Sequence, residues 1–153
     1  MSQPLEGSLD GKGARVALVA SRFNDFVTGR LIQGAIDCLE RHGCGEATVY
    51  RVPGAWEIPP VVSRLAAAGK HDAVIALGAL IRGETPHFDV LAAAVTRSLS
   101  QIQLDAEIPV IYGILTTDTV EQAIDRAGAK SGNKGWEAAL SAVEMVDLYR
   151  RMA

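Results

Sequence analysis

Aromatic side chains are scarce in this chain: three Phe, three Tyr and two Trp make up 5% of 153 residues. The core must therefore be largely aliphatic, and an aromatic placed in a loop asks for a reason. Cysteine is scarcer still, at two residues, Cys38 and Cys44. Two cysteines cannot build a disulfide framework, and free thiols suit the cytosol. With His42 between them they invite a metal reading, but zinc asks for three or four convergent ligands at recognised spacings. No second cluster accompanies them in the sequence, so a helix end with two free thiols, and no metal, is expected.

Excess positive charge is also missing. A net charge of −3 argues against a nucleic-acid partner gripped by a basic face. No window approaches the roughly 18 apolar residues of a membrane span, so no membrane partner is expected. The opening MSQPLEGSLDGKGAR has no apolar stretch like that of a secretory leader, and a cytoplasmic protein is expected. Phosphate motifs of the familiar kinds are absent too. The G-x-G at 11–13 precedes the first predicted strand instead of following it, and there is no Walker sequence. Gly78 and Ala79 stand where a receiver domain would carry its phosphoacceptor Asp. No repeat, low-complexity tract or long linker divides the chain.

What remains is ordinary globular composition, 48% hydrophobic and 22% charged, patterned as alternating strands and helices. Strands are expected at 15–20, 47–52, 72–81 and 109–115, each a short apolar run. Helices are expected at 28–43, 58–69, 89–105, 119–128 and from about Trp136, with a kink at 129–135. The early prolines of the second helix, Pro59 and Pro60, are tolerable only in its first turn. Alternation with short connections implies an α/β fold: a doubly wound, four-stranded parallel sheet in flavodoxin-like order, flanked by helices on both faces. Residues 1–14 are expected to be an extension, flexible or forming an interface strand, before a single domain at 15–153.

Ligands of such sheets gather outside the carboxyl ends of the strands. There the chain places SRFNDF, PGAWEIP, RGETPH and YGILTTD. Polar loops are common everywhere, but Phe23 and Trp56 are large aromatics where a turn needs none. Phe23 reads equally as a core plug and as a ligand contact; Trp56 reads first as packing. Glu57 suits a helix start, where it complements the dipole. Gly83, Glu84 and Thr85 precede a helix, as do segments whose amides cradle phosphate, although a plain helix cap explains them too. His87, in that helix's first turn, is a candidate proton shuttle. Arg82 reads as a solvated or interface side chain.

The segments RFN, PGAWEIP, GALIRGETPHFD, YGILTTDT and AIDRAGAKSGNKGWEAA, in this order and spacing, together resemble the lumazine synthase family. The similarity runs from about Arg15 to the C-terminus. It implies condensation of 5-amino-6-(D-ribitylamino)uracil with 3,4-dihydroxy-2-butanone 4-phosphate to 6,7-dimethyl-8-ribityllumazine, the penultimate step of riboflavin biosynthesis, without a cofactor. Carried over residue by residue, the resemblance implies that Phe23 stacks on the pyrimidine while Ala55, Trp56 and Glu57 hold the ribityl chain. Backbone groups of Ala79, Leu80 and Ile81 would read the pyrimidine edge. Glu84 and Thr85 would bind phosphate, and His87 would move protons. It further implies a site between adjacent subunits of a homo-oligomer, with Tyr112, Arg126 as phosphate counter-charge, and Lys134 nearby, all from the neighbouring chain. Tyr112 stands where Phe is frequent in the family, and Pro86 fills a variable slot. Phe23, in place of the Trp of a decameric branch, favours a pentamer-based assembly. The short 128–135 segment resembles members that form sixty-subunit icosahedral shells, for which riboflavin synthase is an expected partner. Two alternatives stay open: a binding protein that has lost turnover, and a shell in which catalysis is secondary.

Overall fold

The structure is a computed structural model that describes residues 2–129 and 132–153. Its sheet contains β1 (Val16–Ser21), β2 (Thr48–Val52), β3 (Ala73–Ile81) and β4 (Val110–Thr117). All neighbours are parallel, in the order β2-β1-β3-β4, the doubly wound arrangement expected. The helices are α1 (Asp25–Arg41), α2 (Ile58–Ala67), α3 (His87–Asp105), α4 (Val120–Arg126) and α5 (Lys134–Met152). None of them is long and apolar enough to cross a membrane.

Alternation along each strand divides the core in two. Val16, Leu18, Ile75 and Leu77 pack with Leu31 and Ala35 of α1, Ala123 of α4, and Ala139 and Val143 of α5. Ala17, Val19, Val74 and Ala76 pack on the other face with Ile58 and Val62 of α2 and Val95 and Leu99 of α3. β3 is buried on both faces along nearly its whole length, as its unbroken apolar run requires. Aliphatic side chains fill both layers, with Trp136, Tyr50 and Phe88 packed only at their margins.

The strands begin and end within two residues of expectation. Helix starts differ more. α1 begins at Asp25 instead of 28, because Asn24 takes a left-handed backbone (φ 60°, ψ 43°) and its carbonyl receives the amides of Val27 and Thr28. Asn tolerates that conformation better than other side chains. A 3-10 turn at Ala55–Glu57 leads into α2, whose prolines fall in the first turn. α3 starts at His87 and α5 at Lys134, each two residues early, while α4 is shorter than expected. Part of the expected kink, 130–131, lies outside the described residues.

The segment from Gly7 to Ala14 lies along the helices. Ser8 donates its amide to Asp147 Oδ2 at 2.7 Å, and the Gly11 amide bonds the His42 carbonyl at 2.8 Å. His42 Nδ1 lies 2.6 Å from the Cys38 carbonyl. Burial pushes the Cys38 thiol up to about 11, with Cys44 and Asp37 adding to it. A thiol so hard to ionise is a core side chain, not a ready nucleophile. Among the described residues no group of three or more His, Cys, Asp or Glu is placed to hold a metal ion.

Candidate active site

Between β1 and β3 the chain reverses its winding direction, and a cavity of about 590 Å³ opens at their carboxyl ends. That volume lies within the usual range for small-molecule sites, roughly 300–1,000 Å³. Three strand ends and one helix build it.

The loop after β1 is held by extensions of the sheet ladder: Arg22 donates to the Val52 carbonyl at 2.8 Å and Phe23 to Pro53 at 3.2 Å. Asn24 then turns the chain, and its Nδ2 donates 2.8 Å to the Ala79 carbonyl at the end of β3. Phe23 is consequently turned outward on the cavity, 69% exposed. A core plug would be buried, so that reading fails. After β2, the 3-10 turn buries Ala55 and leaves Trp56 64% exposed, with Glu57 beside it on the cavity. The packing reading of Trp56 fails likewise. β3 contributes Ala79, Leu80 and Ile81 to the cavity.

The loop 82–86 follows. Among the described residues, the amides of Gly83, Glu84 and Thr85 have no protein acceptor. Such a run of unpaired amides ahead of a helix suits an anion. Thr85 Oγ1 receives the His87 amide at a long 3.4 Å. Gly83, Thr85 and His87 line the cavity, whereas Glu84 does not. His87 opens α3, and Val90, Leu91 and Ala94 continue its face along the wall.

Tyr112, Arg126 and Lys134 lie elsewhere. They line a second cavity, of about 400 Å³, that shares no residue with the first. Arg126 ends α4 and Lys134 begins α5, helices on the face of the sheet opposite α3. Asn133 brings the two ends together: its Oδ1 caps Trp136 at 3.0 Å, and its Nδ2 reaches the carbonyls of Arg30 and Ala127 at 3.0 and 3.1 Å. Tyr112 holds its hydroxyl 3.0 Å from Thr96 Oγ1. The expected residues thus form two clusters, one rich in aromatic and backbone surface, the other carrying two cations.

A family model described as 6,7-dimethyl-8-ribityllumazine synthase matches residues 13–150. The chain belongs to this family. It is 59% identical to the 6,7-dimethyl-8-ribityllumazine synthase of Chlorobium phaeobacteroides over 96% of both chains. Identity with the synthase of Chlorobium luteolum is 57% over 97% of both, and with that of Chloroherpeton thalassium 54% over 97%. It is accordingly an enzyme of the lumazine synthase family, which serves riboflavin biosynthesis.

Several residues of this lumazine synthase fold escaped the reading of its sequence. Ser21 lines the first cavity and Glu137 the second. Val90, Leu91 and Ala94 had a legible signal, since they follow His87 at helical spacing. Arg82 is exposed, as its sequence reading held, but it is not idle: Asp118 and Asp89 bind it at 2.9 and 3.1 Å, and its guanidinium carbon lies 4.6 Å from the centre of the Phe88 ring.

Proposed function

We propose that this enzyme condenses 5-amino-6-(D-ribitylamino)uracil with 3,4-dihydroxy-2-butanone 4-phosphate, releasing phosphate and water to give 6,7-dimethyl-8-ribityllumazine. The observation that carries this reading is the first cavity's inventory. It combines an exposed aromatic face at Phe23, a carboxylate at Glu57, unpaired amides at 83–85 and a histidine at the mouth of the same loop. An aminopyrimidine needs a face to stack on and backbone groups along its edge. A ribityl chain needs an acceptor for its hydroxyls, and a phosphate needs amides and a cation.

The chemistry asks for orientation more than for a strong acid or base. The amine of one substrate attacks the ketone of the other, an imine forms, phosphate departs, and ring closure loses water. Holding two reactants in place supplies roughly 7–11 kcal/mol. His87 then relays protons between the amine, the departing groups and solvent, a role its exposed place at the helix start suits. Glu84 is assigned to the phosphate through its amide, between the lining residues Gly83 and Thr85.

The cation is the missing piece. Among the described residues the first cavity is lined by no Lys or Arg, while Arg126 and Lys134 line the second. We therefore assign the working site to two copies of the chain, with the Tyr112, Arg126 and Lys134 cluster of one completing the Phe23 cavity of the next. Arg126 suits a phosphate because its planar fork stays charged and binds two oxygens at once. A ring of five copies, or a sixty-subunit shell built from such rings, closes every site in this way. A cytoplasmic location and association with riboflavin synthase belong to the same proposal.

The decisive experiment mixes both substrates with purified protein and follows lumazine formation by absorbance. Turnover well above the uncatalysed condensation is expected, and a rate equal to that background overturns the proposal.

A further inference from the structure

We propose that Arg82 is the positioning residue of the 83–85 amide loop, bolting it to the end of β4 and to the first turn of α3 without touching the anion itself. The inference rests on the condensation proposed above, in which this loop holds the substrate's phosphate.

The loop cannot hold its own shape. Among the described residues its amides bond nothing in the protein, and the Thr85–His87 contact is long at 3.4 Å. Unpaired amides bind an anion well only if they already converge, because ordering them on binding costs affinity. Something outside the loop must fix it, and Arg82 is so placed. Its amide donates 2.9 Å to the Thr117 carbonyl, prolonging the β3–β4 ladder. Its Nε donates to Asp118 Oδ1 at 2.9 Å, beyond β4, and its Nη1 to Asp89 Oδ2 at 3.1 Å, in α3. The guanidinium carbon lies over the Phe88 ring, 4.6 Å from its centre. Phe88 faces the first cavity on one side and the groove holding Arg82 on the other, while Arg82 lines that groove alone. The arginine therefore works from behind the wall.

Two carboxylates already take the charge of this one cation. Serving as the phosphate's counter-ion would break both bonds. Exposed ion pairs such as these contribute little to stability, so the bracket matters through geometry. A kinetic effect is expected where a melting temperature hardly moves.

Steady-state kinetics with each substrate varied in turn tests this on wild type, Arg82→Met, Arg82→Lys and Asp118→Asn. In Arg82→Met the KM for the phosphorylated ketone rises about tenfold, the scale on which misplaced binding groups act. The KM for the amine and kcat stay within about twofold, a pattern that isolates lost binding from lost chemistry. Lysine restores part of the loss. Asp118→Asn moves the same KM upward, by about threefold. Equilibrium dialysis with inorganic phosphate gives an arm independent of turnover, in which both Arg82→Met and Asp118→Asn weaken phosphate binding. Unchanged phosphate affinity and KM in Arg82→Met overturn the inference. A lower KM in Asp118→Asn overturns it too, because freeing the cation helps only if Arg82 binds phosphate directly. Equal rises in both KM values would show general loosening instead of positioning. Wild type that binds phosphate without turnover would sink the condensation reading alone.

Discussion

Asp72, just before β3, accepts hydrogen bonds from the amide and guanidinium of Arg15 and lies 3.6 Å from Arg150. Beside it, His71 Nε2 lies 3.3 Å from the Tyr50 hydroxyl. At the other end of the same strands, the side chains of Glu57, Glu84 and His87 have no hydrogen-bonding partner among the described residues, and Phe23 and Trp56 face outward. One sheet thus has an amino end whose charges are spent on one another and a carboxyl end where Glu57, Glu84 and His87 are kept unspent beside the satisfied Arg82, Asp89 and Asp118. Side chains that stabilise are satisfied within the fold; those that serve a ligand are withheld from it.

Three experiments press on this contrast. The largest effect is expected at the carboxyl end. His87→Ala should lower kcat by about a hundredfold, the lower range for a lost general acid–base group. Arg126→Ala should disable the same reaction from the second cavity. If the two clusters meet across copies, mixing the two variants as unfolded chains and refolding them together should recover activity that neither shows alone. Absence of recovery, with mixed oligomers demonstrated, would mean the clusters serve separate sites.

A moderate effect is expected at the amino end. Asp72→Asn keeps the shape and removes the charge facing Arg15 and Arg150. The loss should be about 1 kcal/mol, lowering Tm by about 3 °C with turnover unchanged. Burial alone would raise the Asp72 carboxyl, yet the bonds from Arg15, with Arg150 behind, hold it below the usual range. Its stabilisation is therefore present above about pH 3.8 and lost as pH falls through the lower folded value. If Asp72→Asn instead reduces activity, the two ends are not independent.

The smallest effect concerns His71. Burial, then Arg15 and Lys70, make its imidazolium harder to form, against the pull of Asp72, and its Nδ1 is buried without a partner. A histidine lowered in this way contributes stability that is whole above its unfolded value near 6.5 and is lost as pH falls from there through the folded value. The melting temperature should fall slightly between neutral pH and pH 5.5, and His71→Gln should flatten that drop. A drop of equal size in the variant would assign it to other groups.

The parallel sheet was readable because each strand is a continuous apolar run, and burial on both faces leaves β3 no polar alternation to confuse it. The lining of the first cavity was readable as far as loop chemistry goes. The helix starts were not, because Asn24 opens α1 through a left-handed backbone that no periodicity announces. Phe23 and Trp56 were ambiguous for a related reason: exposure depends on the turn beneath the ring, not on the ring. The double tether of Arg82 was not legible, because Asp118 lies 36 residues away and is brought to it only by the β3–β4 pairing. The split between the two cavities was invisible to spacing alone and came only from resemblance.

Helix α1 ties the two clusters together within one subunit. At its amino end Asn24 sets the Phe23 loop; further along, α5 begins directly against its backbone. A Cβ on Gly135 would fall on the Leu31 carbonyl, and one on Gly34 would strike Asn133. Backbone laid on backbone leaves no compressible side chain between, so Lys134 is held at a fixed reach from Phe23. In the ring proposed above, α1 then acts as a ruler. It sets the stride from the reaction chamber a subunit owns to the chamber it completes next door, and an enlarged residue at either glycine would throw every site around the ring out of step.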